Sequence, residues 1–228
     1  MGADRQSQPF ALTGRGTHNL SVALDFATPA EQLARIGRRF DARGWVLGTS
    51  GNLSVVVSRD PFRLAITCSG ASKGDLSADA IVEVDADGRT SAGGIGKPSA
   101  ETLLHVQIAR TRGAGAVLHT HSIWSTVLSG RHRSESGMAI EGYEMLKGLA
   151  GVSTHEHREW IPILENDQDM TRLSASVGQL LSEHPACHAF LLHRHGLYTW
   201  GDTLPQAVRH VEIVEFLLEA VGRTSNKP

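Results

Sequence analysis

The pattern of apolar and polar positions predicts that the first helix of the chain begins at Thr28. The sequence TPAE that starts there combines an N-cap threonine, a proline at the first helical position and the glutamate of a capping box. The apolar residues that follow share one helical face: Leu33, Ile36 and Phe40. This helix is expected to end near Gly44.

Three runs rich in apolar and β-branched residues come next. They predict strands over residues 52–58, 63–69 and 81–85. The turn Arg59-Asp60-Pro61 joins the first two strands, and the third strand precedes an Asp87-Gly88 turn. Consecutive strands with short turns favour an antiparallel meander over alternating strand-helix-strand units.

Further helices and strands follow in mixed order along the second half of the chain. Helical spacing of apolar residues predicts helices over residues 99–112, 169–182 and 203–222. Short apolar runs predict strands over residues 114–118 and 188–192. The sequence therefore predicts a single α/β domain with a mostly antiparallel central sheet flanked by helices.

Composition narrows the class of protein without identifying it. With 228 residues, 40% of them hydrophobic, the chain can bury a substantial core, and a net charge of −2 gives no field that would attract nucleic acid or an anionic membrane. Two cysteines without a CxxC motif and the absence of a long apolar run favour a cytoplasmic protein. Residues 28–228 form the predicted domain, and residues 1–27 are predicted to be an extension of uncertain order.

The histidines are the first candidates for chemistry. His119 and His121 follow the predicted strand at residues 114–118. Two histidines at i and i+2 on an extended backbone project to the same side, which suits a zinc site with three protein ligands and one open position. In a chain with 12 histidines, such a pair can also be an ordinary surface or core feature.

Other histidines compete for the same role. His155 and His157 have identical spacing, but charged residues follow them and no apolar strand leads in, which favours a solvated loop. His195, just before Gly196, could supply a third ligand where a strand stops. His193 lies two residues earlier, so on a regular strand both side chains would share a face and spacing alone does not choose between them.

Five stretches resemble, in order and spacing, the class II aldolase and adducin-head family. They are GTSGNLS from Gly48, TCSGASKGDL from Thr67, KPSAETLLH from Lys97, VLHTHS from Val117 and RHGLYTWG from Arg194. The resemblance covers residues 28–223. It implies a zinc triad at His119, His121 and His195, and it leaves His193, His155 and His157 outside that triad.

Three more stretches resemble one branch of this family, the methylthioribulose-1-phosphate dehydratases of methionine salvage. They are EGYEMLKGLAG from Glu141, THEHREW from Thr154 and ENDQD from Glu165. This resemblance implies the elimination of water next to a carbonyl of 5-methylthioribulose 1-phosphate, which gives the 2,3-diketo-5-methylthiopentyl 1-phosphate. Zinc would then act as a Lewis acid that stabilises the charge left when the C3 proton is removed.

A carboxylate is needed to take the C3 proton and to help the C4 hydroxyl leave. Glu144 matches the dehydratase stretch and is the first candidate, although a glutamate three residues before Lys147 is also typical of an exposed helix. Glu101 matches a glutamate of the related aldolases and is given a supporting catalytic role. Its position near a helix start is also typical of an acidic residue that favours the helix dipole.

The resemblance also implies a phosphate site built from two glycine-containing turns and the residues near them. Backbone N–H groups and hydroxyls in such turns suit an anion. The predicted phosphate-binding residues are Thr49, Gly51, Asn52, Ser69, Gly70, Lys97 and Ser99.

Rival functions follow from the same family. A sugar-phosphate aldolase or epimerase is the nearest, but such relatives often use a tyrosine near the C-terminus and the only tyrosines here are Tyr143 and Tyr198. A non-catalytic interaction module is the alternative of another class, because adducin heads share the fold. The resemblance further implies a homotetramer with a small sugar-phosphate substrate and with no nucleic-acid or membrane partner. Three histidines also accept iron, cobalt or nickel.

Overall fold

The computed structural model describes residues 28–91 and 96–224, so the predicted extension at residues 1–27 lies outside the described residues. Five α-helices lie within these ranges: α1 (Pro29–Asp41), α2 (Thr102–Arg112), α3 (Ile123–Arg131), α4 (Met170–Glu183) and α5 (Leu204–Thr224). None of them has the length and continuous apolarity that crossing a bilayer requires. Short 3-10 helices span Ala78–Ala80, Arg133–Glu135 and Glu144–Gly148.

The strands form one eight-stranded sheet. They are β1 (Asn52–Arg59), β2 (Phe62–Thr67), β3 (Ile81–Val84), β4 (Ala116–Thr120), β5 (Gly137–Ile140), β6 (Glu159–Leu164), β7 (Ala189–Leu192) and β8 (Gly196–Gly201). Their spatial order is β3-β2-β1-β4-β8-β7-β6-β5. Only β6 and β7 run parallel, which confirms the mostly antiparallel sheet expected from the sequence.

The first helix forms as its sequence predicts. The Thr28 hydroxyl accepts a hydrogen bond from the Glu31 amide, and the Glu31 carboxylate accepts one from the Thr28 amide, so both halves of the capping box are present. Leu33 and Phe40 are fully buried and pack against Leu53 of β1. The helix thereby covers the part of the sheet that leads into the candidate site.

Helices cover both faces of the sheet, and alternation along the strands decides which core each side chain joins. In β4, Val117 packs with residues of α2 and α4, whereas Leu118 packs with residues of α1 and α5. In β7, Phe190 joins the first of these cores and Leu191 joins one built with α3 and α5. This period of two is the expected signature of a strand buried on both sides.

Several elements differ from the sequence prediction. The helix expected over residues 99–112 begins at Thr102, and α3, β5, β6 and β8 were not predicted at all. The chain after β7 does not continue as a strand through residues 193–195 but turns into β8. This turn changes which histidine side chains lie close together.

Candidate functional site

The end of β4 carries the first two histidines. His119 pairs with Asn52 of β1 on one side and with Tyr198 of β8 on the other, so its side chain is fully buried in the middle of the sheet. Glycines permit this crowding, because a Cβ on Gly51 would lie 2.7 Å from the His119 carbonyl oxygen and one on Gly196 would lie 2.9 Å from the His119 ring. The backbone around His119 leaves no room for larger residues at these two positions.

The tight turn between β7 and β8 separates His193 from His195. Arg194 at its centre has φ +51°, and its amide donates to the Ser129 hydroxyl at 2.9 Å. His195 therefore faces His119 and His121, whereas the His193 ring lies 3.3 Å from the Glu165 carboxylate. The left-handed backbone of this turn thus places the ring of His195, and not that of His193, near His119 and His121.

The three histidines converge through their Nε2 atoms. His119 Nε2 lies 2.8 Å from His121 Nε2 and 3.4 Å from His195 Nε2, and His121 and His195 are 3.1 Å apart. The Glu101 carboxylate approaches the same point, with one oxygen 3.4 Å from His119 Nε2 and the other 3.4 Å from His195 Nε2. All four ligand atoms lie within 4.8 Å of one another, an arrangement that could hold a metal ion.

The protonation states of these histidines fit a metal. The Nδ1–H of His119 donates to the Leu197 carbonyl at 2.8 Å, which leaves the Nε2 lone pair facing the cluster. Burial, with contributions from His121 and His195, holds the pKa of His119 well below its usual value. Burial and the charges of His195 and Lys73 lower the pKa of His121 to about 4. Both rings are therefore neutral near pH 7, as coordination requires.

Tyr198 fixes the ring of His119 from the other side. The two rings stack with centroids 3.9 Å apart and planes 13° from parallel, and Phe190 stacks on the far face of Tyr198 at 5.0 Å. Burial, followed by the nearby Glu101 carboxylate, raises the pKa of the Tyr198 hydroxyl well above its usual value. Tyr198 is thus a neutral packing partner rather than a proton donor poised for release.

A buried hydrogen-bonded chain holds Glu101. The Asn52 side-chain amide donates to Glu101 Oε2 at 2.6 Å, and the Asn52 carbonyl oxygen accepts from His105 Nε2. His105 Nδ1 in turn lies 2.7 Å from the Ser54 hydroxyl. Burial lowers the pKa of His105 to about 3, so its ring is neutral and donates only from Nε2. Each donor in the chain points toward the carboxylate, which fixes the orientation of Glu101.

A cavity of about 390 Å³ opens beside His121 and His195. Six of the seven predicted phosphate-binding residues line it: Thr49, Gly51, Asn52, Ser69, Gly70 and Ser99. Lys97 is exposed and does not line this cavity. The cavity is also lined by Asn166 and Gln168 of the loop before α4 and by Met170, the first residue of α4. The stretch ENDQD contains the first two, but the sequence assigned none of the three to the site.

Lys73 supplies the positive charge that Lys97 does not. It is 1% exposed, lines the cavity, and its ammonium donates to the carbonyls of Thr49 and Ala71, both at 2.9 Å. Burial lowers the pKa of Lys73 to about 8, against the opposing effect of Glu101. Its position inside the stretch TCSGASKGDL, next to a glycine-containing turn, was the available sequence signal.

Glu144 lies apart from this cavity. It opens the 3-10 helix Glu144–Gly148, its side chain is 73% exposed, and its carboxylate accepts from Lys147 Nζ at 2.7 Å. The Lys147 hydrogen bond and charge lower the pKa of Glu144. The nearest histidine contact is His155 Nδ1 at 3.8 Å. Within one described chain, Glu101 is therefore brought to the histidines and Glu144 is not.

The second His-X-His pair also lies away from this cavity. His155 is exposed in a turn before β6, in agreement with the predicted loop. His157 contacts Glu159 at the start of β6, with 2.8 Å between His157 Nε2 and Glu159 Oε2. Neither residue lines the cavity beside His121.

Comparisons with known proteins agree with this architecture. The family model described as Class II Aldolase and Adducin N-terminal domain matches residues 31–221. A protein of Methylococcus capsulatus named methylthioribulose-1-phosphate dehydratase is 47% identical over 201 residues, or 87% of this chain and 95% of the relative. A protein of the same name from Sorangium cellulosum is 42% identical, and the match covers 91% of this chain and 96% of the relative.

Solved structures share the fold. YgbL of Escherichia coli, described as a putative aldolase/epimerase/decarboxylase, has a TM-score of 0.70 and 28% identity, covering 87% of this chain and 90% of that one. An L-fuculose 1-phosphate aldolase has a TM-score of 0.71 at 22% identity, covering 89% and 90%. The family model spans nearly all the described residues, and the chain belongs to the class II aldolase and adducin N-terminal domain family.

Proposed function

We propose that this chain is a hydro-lyase of methionine salvage, which dehydrates 5-methylthioribulose 1-phosphate to the 2,3-diketo-5-methylthiopentyl 1-phosphate. Two observations support it together. The first is a relative of that name with 47% identity over most of both chains. The second, which carries the chemistry, is the convergence of three imidazoles and one carboxylate beside a 390 Å³ cavity.

His119, His121 and His195 are the proposed ligands of a zinc ion. Their Nε2 atoms are 2.8 to 3.4 Å apart, which matches nitrogen ligands around one small divalent ion. When bound, zinc supplies a Lewis acid that stabilises negative charge developing on the substrate next to its carbonyl. Burial lowers the pKa of His119 and of His121, so both rings offer an unprotonated nitrogen to the ion near pH 7.

The cavity lining would orient the sugar phosphate. Thr49, Ser69 and Ser99 offer hydroxyls, and the glycine turns at Gly51 and Gly70 offer backbone amides for the phosphate. Among the described residues, Lys73 has two carbonyl partners and no carboxylate in direct contact, so its ammonium is available to a substrate anion in the cavity. We therefore add Lys73 to the proposed phosphate-binding residues and give Lys97 no direct contact.

Two carboxylates share the proposed proton transfers. Glu101, held by Asn52 and 12% exposed, faces the substrate side of the histidines and has the supporting role. Glu144 is the proposed acid and base that moves the proton from C3 to the departing C4 hydroxyl. Glu144 is exposed and lies outside the cavity of its own chain. We therefore infer that it acts in the cavity of a neighbouring subunit of a cytoplasmic homotetramer.

The direct test is incubation of the purified chain with methylthioribulose 1-phosphate, followed by mass spectrometry of the products. Loss of one water supports the dehydratase. Cleavage into two smaller carbonyl compounds would instead show the aldolase reaction, and a change of stereochemistry without change of mass would show the epimerase. Absence of bound metal together with absence of turnover would favour the interaction module.

Subunit mixing tests where Glu144 acts. His121→Ala and Glu144→Gln are each expected to give an inactive tetramer, but co-assembled chains should regain activity if Glu144 reaches a neighbour's metal site. Native mass spectrometry confirms that mixed tetramers formed. Mixed tetramers that stay inactive would place Glu144 and the triad in the same chain's site, or remove Glu144 from the chemistry.

A further inference from the structure

A second group of metal-ligating side chains lies at the opposite end of β7 from His195. Glu159 is the first residue of β6, and His188 immediately precedes β7. These two strands are parallel neighbours, so their starting ends meet at one edge of the sheet. His157 reaches the same point from the turn before β6. The three residues are therefore brought together by topology rather than by local sequence alone.

The ligand atoms of this group already converge. Glu159 Oε2 lies 2.8 Å from His157 Nε2 and 3.0 Å from His188 Nδ1, and the three ligand atoms are all within 4.8 Å of one another. The Glu159 side chain is 2% exposed, so its charge is taken out of water. A buried carboxylate requires compensation by a cation or by hydrogen bonds.

The orientation of His188 matches that of a metal-bound histidine. Its Nε2–H donates to the Ala150 carbonyl at 2.8 Å, so Nδ1 is the nitrogen that faces Glu159. His119 in the first site is held in the same manner, with one ring nitrogen bonded to a backbone carbonyl and the other directed at the cluster. Backbone carbonyls that fix the ring in this way are a common feature of histidine metal ligands.

The surroundings leave access from one side. A cavity of about 430 Å³ is lined by His157 and His188, together with His210 and Arg112. His210 is not a further ligand, because its Nδ1 donates to the Trp200 carbonyl at 2.7 Å and its Nε2 accepts from the Ala150 amide at 3.1 Å. Water from the cavity could therefore complete the coordination sphere of an ion held by three protein ligands.

We propose that His157, Glu159 and His188 form a second site for a divalent transition-metal ion such as zinc. Two imidazoles and one carboxylate are an established donor set for such ions. Metal–ligand bonds of about 2.1 Å place tetrahedral ligands roughly 3.4 Å apart, so the two separations from Glu159, 2.8 and 3.0 Å, would open by roughly half an ångström. His157 can make that adjustment because its side chain is 30% exposed.

The competing interpretation is a hydrogen-bonded network that needs no metal. Both histidines can donate to Glu159, and the His188 amide also donates to it at 2.9 Å. That network would tie the turn at residues 155–157 to the sheet on its own. The two interpretations differ in how many metal ions the chain binds and in which histidine is needed.

The test counts metal in a full-length chain that lacks the first site. The His119→Ala/His121→Ala variant is titrated with Co²⁺, and bound cobalt is measured by equilibrium dialysis and by its visible absorption. The proposal predicts about one equivalent in this background, and two in the wild-type chain if the first site also binds metal. Binding of no cobalt above background would overturn the second site, whatever happens at the first.

Matched variants of the second pair identify the ligand. In the same background, His157→Ala should lower cobalt affinity by more than about tenfold, since losing a ligand exceeds the effect of losing its support. His155→Ala, two residues away in the same turn, should bind as the background does. Equal binding by the two variants would overturn the proposal. His157→Gln, with circular dichroism on each variant, separates ligand loss from unfolding.

Discussion

Two His-X-His pairs with the same spacing end in very different surroundings. His119 and His121 lie at the end of a strand that is buried on both faces, and their Nε2 atoms are 2.8 Å apart beside Glu101. His155 and His157 lie in a turn: His155 is 57% exposed and faces Glu144, whereas His157 turns to Glu159. Spacing brings two imidazoles together only where the backbone is extended and its neighbours hold it.

The difference extends to the carboxylates of the two regions. Glu101, beside the first pair, is fixed by a buried chain of hydrogen bonds through Asn52 and His105. Glu144, beside the second pair, is an exposed partner of Lys147. The Glu101 carboxylate is therefore largely buried and held within one chain, whereas the Glu144 carboxylate is exposed in the same chain.

The largest effect should separate the two histidine pairs. His119→Ala, His121→Ala and His195→Ala should each lose most of the first-site metal and lower turnover more than about 100-fold, because three ligands are the minimum of a catalytic zinc site. His155→Ala should keep both metal and turnover. Metal analysis by mass spectrometry and steady-state kinetics check this. Equal metal loss from His155→Ala would show that the wrong pair was chosen.

A second prediction concerns Glu144, because it makes an exposed residue essential. Glu144→Gln should keep metal and fold but lower turnover by roughly 10²- to 10⁴-fold, the usual contribution of a general acid or base. Glu101→Gln should lower turnover less. Metal content is measured first, and solvent deuterium exchange at C3 then isolates proton abstraction. A dead Glu101→Gln beside an active Glu144→Gln would transfer the acid and base role to Glu101.

A third prediction sharpens the description of the first region through pH. The pKa of Lys73 is lowered to about 8, so its ammonium is present below pH 8 and is lost above it. The kcat/KM for the sugar phosphate should therefore fall as pH rises through about 8, and Lys73→Met should have a higher KM without this pH step. Lys97→Met is the matched control with an exposed lysine. A step that survives in Lys73→Met would contradict the assignment.

The smallest effect concerns the support behind β4. Glu215 of α5 is buried and accepts from the Thr120 hydroxyl, between the two histidines, and burial raises its pKa to about 7 from the usual 4.5. Its contribution to the free energy of unfolding is fully present below pH 4.5 and is lost as pH rises through 7. Glu215→Gln should be more stable at pH 8 by roughly 1–3 kcal/mol.

Thermal unfolding of Glu215→Gln and the wild type across pH 4 to 8 provides the measurement. The two stability curves should separate progressively between about pH 4.5 and 7, because the wild-type carboxylate must ionise while buried. Parallel curves over that range would show that Glu215 does not titrate in the folded chain.

Much of the fold was predictable from local patterns. The capping box at Thr28 is present as the sequence predicts, and the first three strands lie where runs of β-branched residues predict them. The sequence did not predict helix α3 because two of its apolar residues, Ile123 and Val127, are exposed. The apolar positions of this segment therefore do not mark one buried helical face. The sequence did not predict strand β8 because this segment is short and has a glycine at each end, although all its residues are buried.

The candidate site was less accessible to sequence reasoning. The spacing of His119 and His121 indicated the first two candidate ligands, but only the resemblance favoured His195 over His193 as the third. The physical reason is the left-handed residue Arg194, which breaks the expected strand. The sequence did not predict Lys73 or His105 because tertiary packing places them at the site: Lys73 contacts Thr49 from 24 residues away, and His105 contacts Asn52 from 53 residues away.

The central claim is that the triad at the end of β4 carries the dehydration. Its most direct test is mass spectrometry of methylthioribulose 1-phosphate incubated with the wild-type chain before chelation, after chelation and after zinc is restored. Water loss should stop when the metal is removed, return in proportion to the zinc bound, and never return in His121→Ala. A metal-free chain that still removes water at the original rate would contradict the account.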